Sequence, residues 1–131
     1  MIEETAALVA TLREALRERE DVHLAVLFGS RARGRARPDS DVDLAVLGEN
    51  LDLLALAYDL SLATRLEVDV LDVTRAGYPL LNAIARDAIF VHQGRPGAGG
   101  RWLSHTIAQL ETDRPWYERM RDAYLRKLAR G

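Results

Sequence analysis

Three aspartates carry the chemistry open to this sequence. In residues 41 to 47, DVDLAVL, Asp41 and Asp43 alternate with Val42, Leu44 and Val46. Side chains on a strand point alternately to its two faces, so the two carboxylates share one face and the branched apolar residues the other. In residues 67 to 73, EVDVLDV, Asp69 lies opposite the face of Val68 and Val70. Asp72 points away from Asp69 and is expected at a strand end or turn. If the two strands are neighbours, Asp41, Asp43 and Asp69 converge on one patch. Carboxylates held together repel, and desolvation worsens the repulsion. A cation relieves it. Mg²⁺ takes such hard oxygen ligands, usually one or two carboxylates per ion, with substrate phosphates filling the shell. Two ions about 3.5–4 Å apart would clamp the attacking and leaving oxygens of an in-line displacement at phosphorus. Asp41, Asp43 and Asp69 are therefore the candidate metal-ligating and catalytic residues.

The stretch LFGSRARGRARPDSDVDLAVL, residues 27 to 47, adds a second element. Gly29 and Ser30 follow an apolar run and open a short helix of about two turns. A helix that starts directly after a strand aims free backbone N–H groups at an anion. Gly29 has no Cβ, so a phosphate can approach the backbone closely. Ser30 adds a hydroxyl. Neither the Walker pattern nor G-x-G-x-x-G is present. Without a phosphate, the same pair is a plain helix cap. Arg31, Arg33, Arg35 and Arg37 follow within seven residues. Arg33, on the first turns after Ser30, is the arginine best placed for a nucleotide. The alternative is a solvated basic face.

These groups need elements to hold them. Helices are expected at 3–19, 51–65, about 79–86 and 101–129. Strands are expected at 22–28, 41–47, 67–73 and 88–92. Thr5 is a candidate cap for the first helix. In the helix over 51–65, Leu53, Leu54, Ala57, Leu60 and Leu62 are expected mostly inward. QGRPGAGG, residues 93 to 100, reads as a flexible linker. Pro115 is a candidate break in the last helix. The order gives an α/β (α+β) fold, one mixed four-stranded sheet flanked by helices, with a C-terminal helical tail. Residues 1–97 are the expected core domain. Residues 98–131 are the expected extension, packing through Trp102, Trp116 and Tyr117 on the core or on a partner.

The 131 residues make one domain by length, and 48% hydrophobic with 29% charged residues is ordinary globular composition. No apolar run approaches the ~20 residues that span a bilayer. The acidic, amphipathic N-terminus is unlike a signal peptide. With no cysteine there are no disulfides or thiolate metal sites. A cytoplasmic protein is expected. The net charge of −2 argues against a general nucleic-acid binder. His23, His92 and His105 fit no metal spacing.

Gly29-Ser30, ten intervening residues and Asp41-Val42-Asp43 resemble the G-S-x10-D-x-D signature of the DNA polymerase β-like nucleotidyltransferases. Length and texture are most similar to the minimal nucleotidyltransferase (MNT) group, whose members include antitoxins encoded beside HEPN-domain ribonuclease toxins. The resemblance covers about residues 5 to 92. It implies that Gly29 and Ser30 hold a nucleoside triphosphate and that Asp41 and Asp43 bind Mg²⁺. It implies that Asp69 completes the metal site and helps activate an acceptor hydroxyl. The implied reaction is attack on the α-phosphate of ATP with loss of pyrophosphate. In toxin-linked members the acceptor is a tyrosine of the HEPN partner. Two rivals remain at this level: an aminoglycoside-type transferase, disfavoured by the short tail, and a non-catalytic module that masks its partner.

Overall fold

The computed structural model describes residues 2–131. Helix α1 (Glu3–Leu16) carries Glu3 and Glu4 in its first turn, where acids complement the helix dipole. Leu8, Val9, Leu12 and Leu16 form its buried face. Its N-cap is Ile2, without a side-chain cap bond. Thr5 is buried inside the helix instead, where its hydroxyl donates to the Arg31 carbonyl at 2.9 Å. This corrects the expected cap: Thr5 ties α1 to the segment after β1.

Strand β1 (Val22–Phe28) runs into α2 (Gly29–Ala32), one turn rather than two. Strand β2 (Val42–Gly48) follows, then α3 (Leu53–Thr64), β3 (Val68–Asp72), a 3₁₀ turn (Val73–Arg75), α4 (Tyr78–Asp87), β4 (Ile89–Gln93) and α5 (Ala98–Ala129). The sheet order is β3-β2-β1-β4. β1 pairs antiparallel with both β2 and β4, and β2 pairs parallel with β3. The parallel pair requires a crossover, which α3 supplies. Asp52 starts α3 by accepting the Ala55 N–H at 3.0 Å.

Both sheet faces are covered. Leu12 and Leu16 of α1 and Leu56 and Leu60 of α3 pack with Ala25, Leu27, Val42, Leu44 and Val46 on one face. Leu81 and Ile84 of α4 and Ala98 and Leu110 of α5 pack with Leu24, Val26, Phe28 and Ala45 on the other. The expected inward set of α3 needs correction. Leu54 and Leu62 are 83% and 63% exposed, and the buried leucines are 56 and 60. A helix that is leucine-rich on all sides carries little rotational phase in its sequence, so docking on the sheet sets the phase.

Two further expectations fail for backbone reasons. The linker shortens to residues 94–97, because Gln93 still belongs to β4 and α5 begins at Ala98. The Gln93 side chain accepts the Gly99 N–H at 2.9 Å and binds the helix start to the strand. Pro115 does not break α5. It removes one N–H, leaving the Glu111 carbonyl to solvent on an exposed stretch of helix.

The topology fixes where chemistry can gather. Since β1 opposes β2, the end of β1 lies beside the start of β2, with Phe28 opposite Asp43. The parallel β3 starts at the same edge, and β4 does so too, with Ile89 opposite Leu27. One edge of the sheet thus collects Gly29–Ser30, Asp41–Asp43, Glu67–Asp69 and Asp87.

Candidate active site

Residues 41–43 and 67–69 enter the sheet side by side. Asp43 is in register with Asp69, and Val42 with Val68. The Val42 N–H donates to the Glu67 carbonyl at 2.8 Å, placing Asp41 and Glu67 together one step earlier. Residues in register point the same way, so two i, i+2 acid pairs form on the α4/α5 face. Asp41, Glu67 and Asp69 each offer a carboxylate oxygen, all within 4.8 Å of one another, and all three residues are exposed. These are hard oxygen donors at a spacing that fits a divalent cation such as Mg²⁺.

Glu67 was not among the residues singled out from sequence. The signal was available: Glu67 and Asp69 repeat the spacing of Asp41 and Asp43, and alternation puts both on one face.

Asp43 sits deeper, half-buried against Gly29. A Cβ on Gly29 would overlap Asp43 Oδ2, and Gly29 has φ +79°, so two separate reasons call for glycine here. Burial pushes the Asp43 carboxyl above its ordinary pKa, the charges of Asp69 and then Asp41 push the same way, and Arg33 opposes them. Among the described residues, no hydrogen bond or ion pair reaches the carboxylates of Asp41, Asp43, Glu67 or Asp69.

Helix α2 is capped by Phe28 in extended backbone, with no side-chain cap bond. Ser30 is therefore not the cap, and its hydroxyl has no hydrogen bond among the described residues. The four arginines divide by task. The Arg31 guanidinium donates to the Ser40 carbonyl at 2.8 and 3.2 Å and to Pro38 at 3.3 Å, which closes the loop immediately before Asp41. Arg33 reaches Asp87 at 2.6 Å. Arg35 and Arg37 are exposed and have no ion-pair partner among the described residues.

Asp87, at the end of α4, also went unnoticed in the sequence. Its side chain is 5% exposed and accepts from Arg33 and, at 3.0 and 3.3 Å, from Arg86. The Arg86 hydrogen bond lowers its pKa most, burial opposes, and Arg33 adds to the lowering. Asp87 holds the Arg33 guanidinium at the carboxylate edge. A carboxylate 54 residues from its arginine has no local signature in sequence.

The remaining candidates fall outside this edge. His92 bonds the Val22 carbonyl at 3.1 Å, and His23 lies 3.8 Å from Glu49. Trp102 packs edge-on to Phe90 with ring centres 6.4 Å apart, and Tyr117 stacks on Tyr78 at 4.4 Å. Trp116 is 55% exposed. Among the described residues no helix is long and apolar enough to cross a membrane.

The sequence profile of the family described as Polymerase beta, Nucleotidyltransferase matches residues 10–94. No curated protein sequence matches the chain. A toxin–antitoxin structure solved with AMP-PNP superposes with TM-score 0.75 at 22% identity, over 89% of this chain and 98% of the other. A complex of tri-AMPylated Shewanella oneidensis HEPN toxin with MNT antitoxin superposes with TM-score 0.71 at 21% identity, over 92% of this chain and 98% of the other. In both the likeness is one of fold. A structure assigned to the minimal nucleotidyltransferases shares 31% identity at TM-score 0.56, over 66% of this chain and 94% of the other.

Proposed function

Because the chain belongs to the Polymerase beta, Nucleotidyltransferase family, we propose that it transfers AMP from ATP to a tyrosine hydroxyl of a HEPN ribonuclease partner and so acts as an antitoxin. The observation that carries the chemistry is the register of Asp43 with Asp69 beside Gly29, which gathers a group of carboxylates that no hydrogen bond or ion pair from the described residues reaches. The family match and the fold shared with AMP-PNP-bound and AMPylated toxin–antitoxin complexes support the direction of transfer.

In this reading Asp41, Asp43 and Asp69 hold Mg²⁺, with Glu67 completing the oxygen set, and two ions are expected. When bound, the metal neutralises charge on the triphosphate and on the leaving pyrophosphate. The chain's own residues do the rest. The backbone at Gly29 and the Ser30 hydroxyl bind the phosphates. Arg33, held by Asp87, supplies a fixed positive charge beside them. Asp69 accepts the proton of the attacking hydroxyl. The tyrosine oxygen forms a bond to the α-phosphorus, the bond from that phosphorus to the bridging oxygen breaks, and pyrophosphate departs. Positioning and charge neutralisation account for most catalysis at phosphorus, and a small open site can supply both.

The test uses the purified chain, ATP, Mg²⁺ and a purified candidate HEPN ribonuclease partner. Pyrophosphate release and a mass gain of AMP on the ribonuclease are expected only when all are present. Ser30→Ala should weaken ATP binding by about 1–3 kcal/mol, the worth of a hydrogen bond to a charged group. Silencing of the ribonuclease by Asp43→Asn, at equal occupancy and without AMP transfer, would replace this reading with masking.

A further inference from the structure

Helix α5 keeps one continuous apolar stripe but covers only its first half. Thr106 and Leu110 face the domain, and the Tyr117–Tyr78 stack is the last aromatic contact with it. From Glu118 to the C-terminus every residue is exposed. The inward line continues at helical spacing through Met120, Tyr124 and Leu128, with Trp116 and Leu125 beside it. These five side chains are between 51% and 62% exposed. A helix of about a dozen residues with no cover is marginal in water, and an exposed apolar stripe of this length marks a docking surface.

The charge on the arm says what covers it. Residues 118–131 carry five bases and two acids, and one of the acids, Asp122, is already paired with Arg121 at 3.1 Å. Arg119, Arg126, Lys127 and Arg130 have no ion-pair partner among the described residues. Two such arms laid together would oppose their own positive charge, which disfavours a second copy of this chain. A partner with carboxylates around an apolar groove complements both features.

The arm leaves the domain at Tyr78, the first residue of α4, while Asp87 at the last residue of α4 stands at the carboxylate edge. Nine helical steps separate the two, roughly 14 Å at 1.5 Å per residue. A protein gripped by the arm is thus within reach of the site without sharing its residues.

Resting on the partner named above, we propose that residues 116–129 of α5 are the docking arm for the ribonuclease, seated in an apolar groove of that protein rimmed by acidic side chains. The experiment is calorimetric titration of the full-length chain with the purified ribonuclease. One variant is Met120→Asp/Tyr124→Asp/Leu128→Asp. The other, Arg119→Glu/Arg126→Glu/Lys127→Glu, leaves the stripe intact. The stripe variant should weaken ribonuclease binding about 100-fold or more, since aromatic and apolar anchors dominate such interfaces. The charge variant should weaken it about 10-fold and flatten its dependence on salt. AMP-PNP affinity should stay unchanged in both, which shows the domain is folded. Unchanged ribonuclease binding in either variant overturns the arm and leaves the proposed function standing. No binding by the unaltered chain overturns both. A dimer of the chain alone that the stripe variant dissolves, or binding to phosphatidylserine vesicles in place of the ribonuclease, assigns the stripe elsewhere and overturns the arm.

Discussion

Asp43 and Asp72 belong to adjacent strands, and the chain treats them in opposite ways. Asp72, at the end of β3, accepts from the Thr74 hydroxyl at 2.7 Å and the Thr74 N–H at 2.9 Å. Those bonds, the hydroxyl first, lower its pKa. Asp21 is held low by the Arg19 hydrogen bond, and Asp87 by Arg86. Asp43 has no such donor, and burial and its acidic neighbours raise its pKa. At the far edge of the sheet, and at Asp87, the chain satisfies its own acids. Beside Asp87 at the near edge it gathers four further acids, Asp41, Asp43, Glu67 and Asp69, that no hydrogen bond or ion pair among the described residues reaches. Buried and half-buried charges are normally paired, so an unpaired group of this kind is a candidate place for a ligand that would supply the missing charge.

The comparison breaks most sharply at Asp43. Asp43→Asn is expected to reduce AMP transfer by roughly 100- to 1,000-fold, the usual effect of removing a preorganised electrostatic group. The same substitution should raise the melting temperature of the metal-free protein at pH 7, because the ionised carboxylate is disfavoured by burial and like charge. That gain should shrink as pH falls through the raised pKa of Asp43, where the native protein takes up the proton itself. Added Mg²⁺ should stabilise the native protein more than the variant, which keeps Asp41, Glu67 and Asp69. Kinetics together with thermal melts at pH 7 and pH 4 check all three.

Gly29→Ala comes next. The added methyl meets Asp43 Oδ2 in a backbone conformation with positive φ. A stability loss of about 1–3 kcal/mol is expected from the strained backbone, with ATP affinity falling as well. Denaturant titration and calorimetry measure the two effects separately.

Asp87→Asn tests the satisfied side. It weakens bonds from two arginines and should cost about 1–3 kcal/mol at pH 7. The sign with pH is the reverse of Asp43. A carboxyl with a lowered pKa stabilises the fold above its ordinary value and loses that contribution as pH falls through the lowered one. The cost of Asp87→Asn should therefore vanish in acid. ATP affinity should fall too, because Arg33 loses its anchor.

The smallest effect belongs to Asp72→Ala, which removes the cap of the 3₁₀ turn. About 1 kcal/mol is expected, with no change in ATP affinity. A change in ATP affinity for Asp72→Ala equal to that for Asp87→Asn would erase the distinction between the two edges.

Much of the placement of the candidate site was legible before folding. Asp-x-Asp in an apolar strand shows its face by alternation, and Gly29–Ser30 shows the strand-to-helix junction by composition. Asp72 was assigned to a strand end from the same alternation, and it caps the turn there. Local rules failed wherever the relevant neighbour was distant in the chain. Thr5 bonds a carbonyl 26 residues away, and Arg33 a carboxylate 54 residues away. The helix α3 shows the same limit, since leucines on every side leave its docked face to the sheet.

The sequence by itself determined the element order, the faces of β2 and β3, and the residue types of the candidate site. Each follows from backbone periodicity and side-chain chemistry, which act over a few residues. Only the tertiary structure decided that Glu67 joins Asp41 and Asp69, that Asp87 fixes Arg33, and that the last turns of α5 stand uncovered. Those outcomes depend on strand register and helix docking, which are set by packing energies summed over the whole chain.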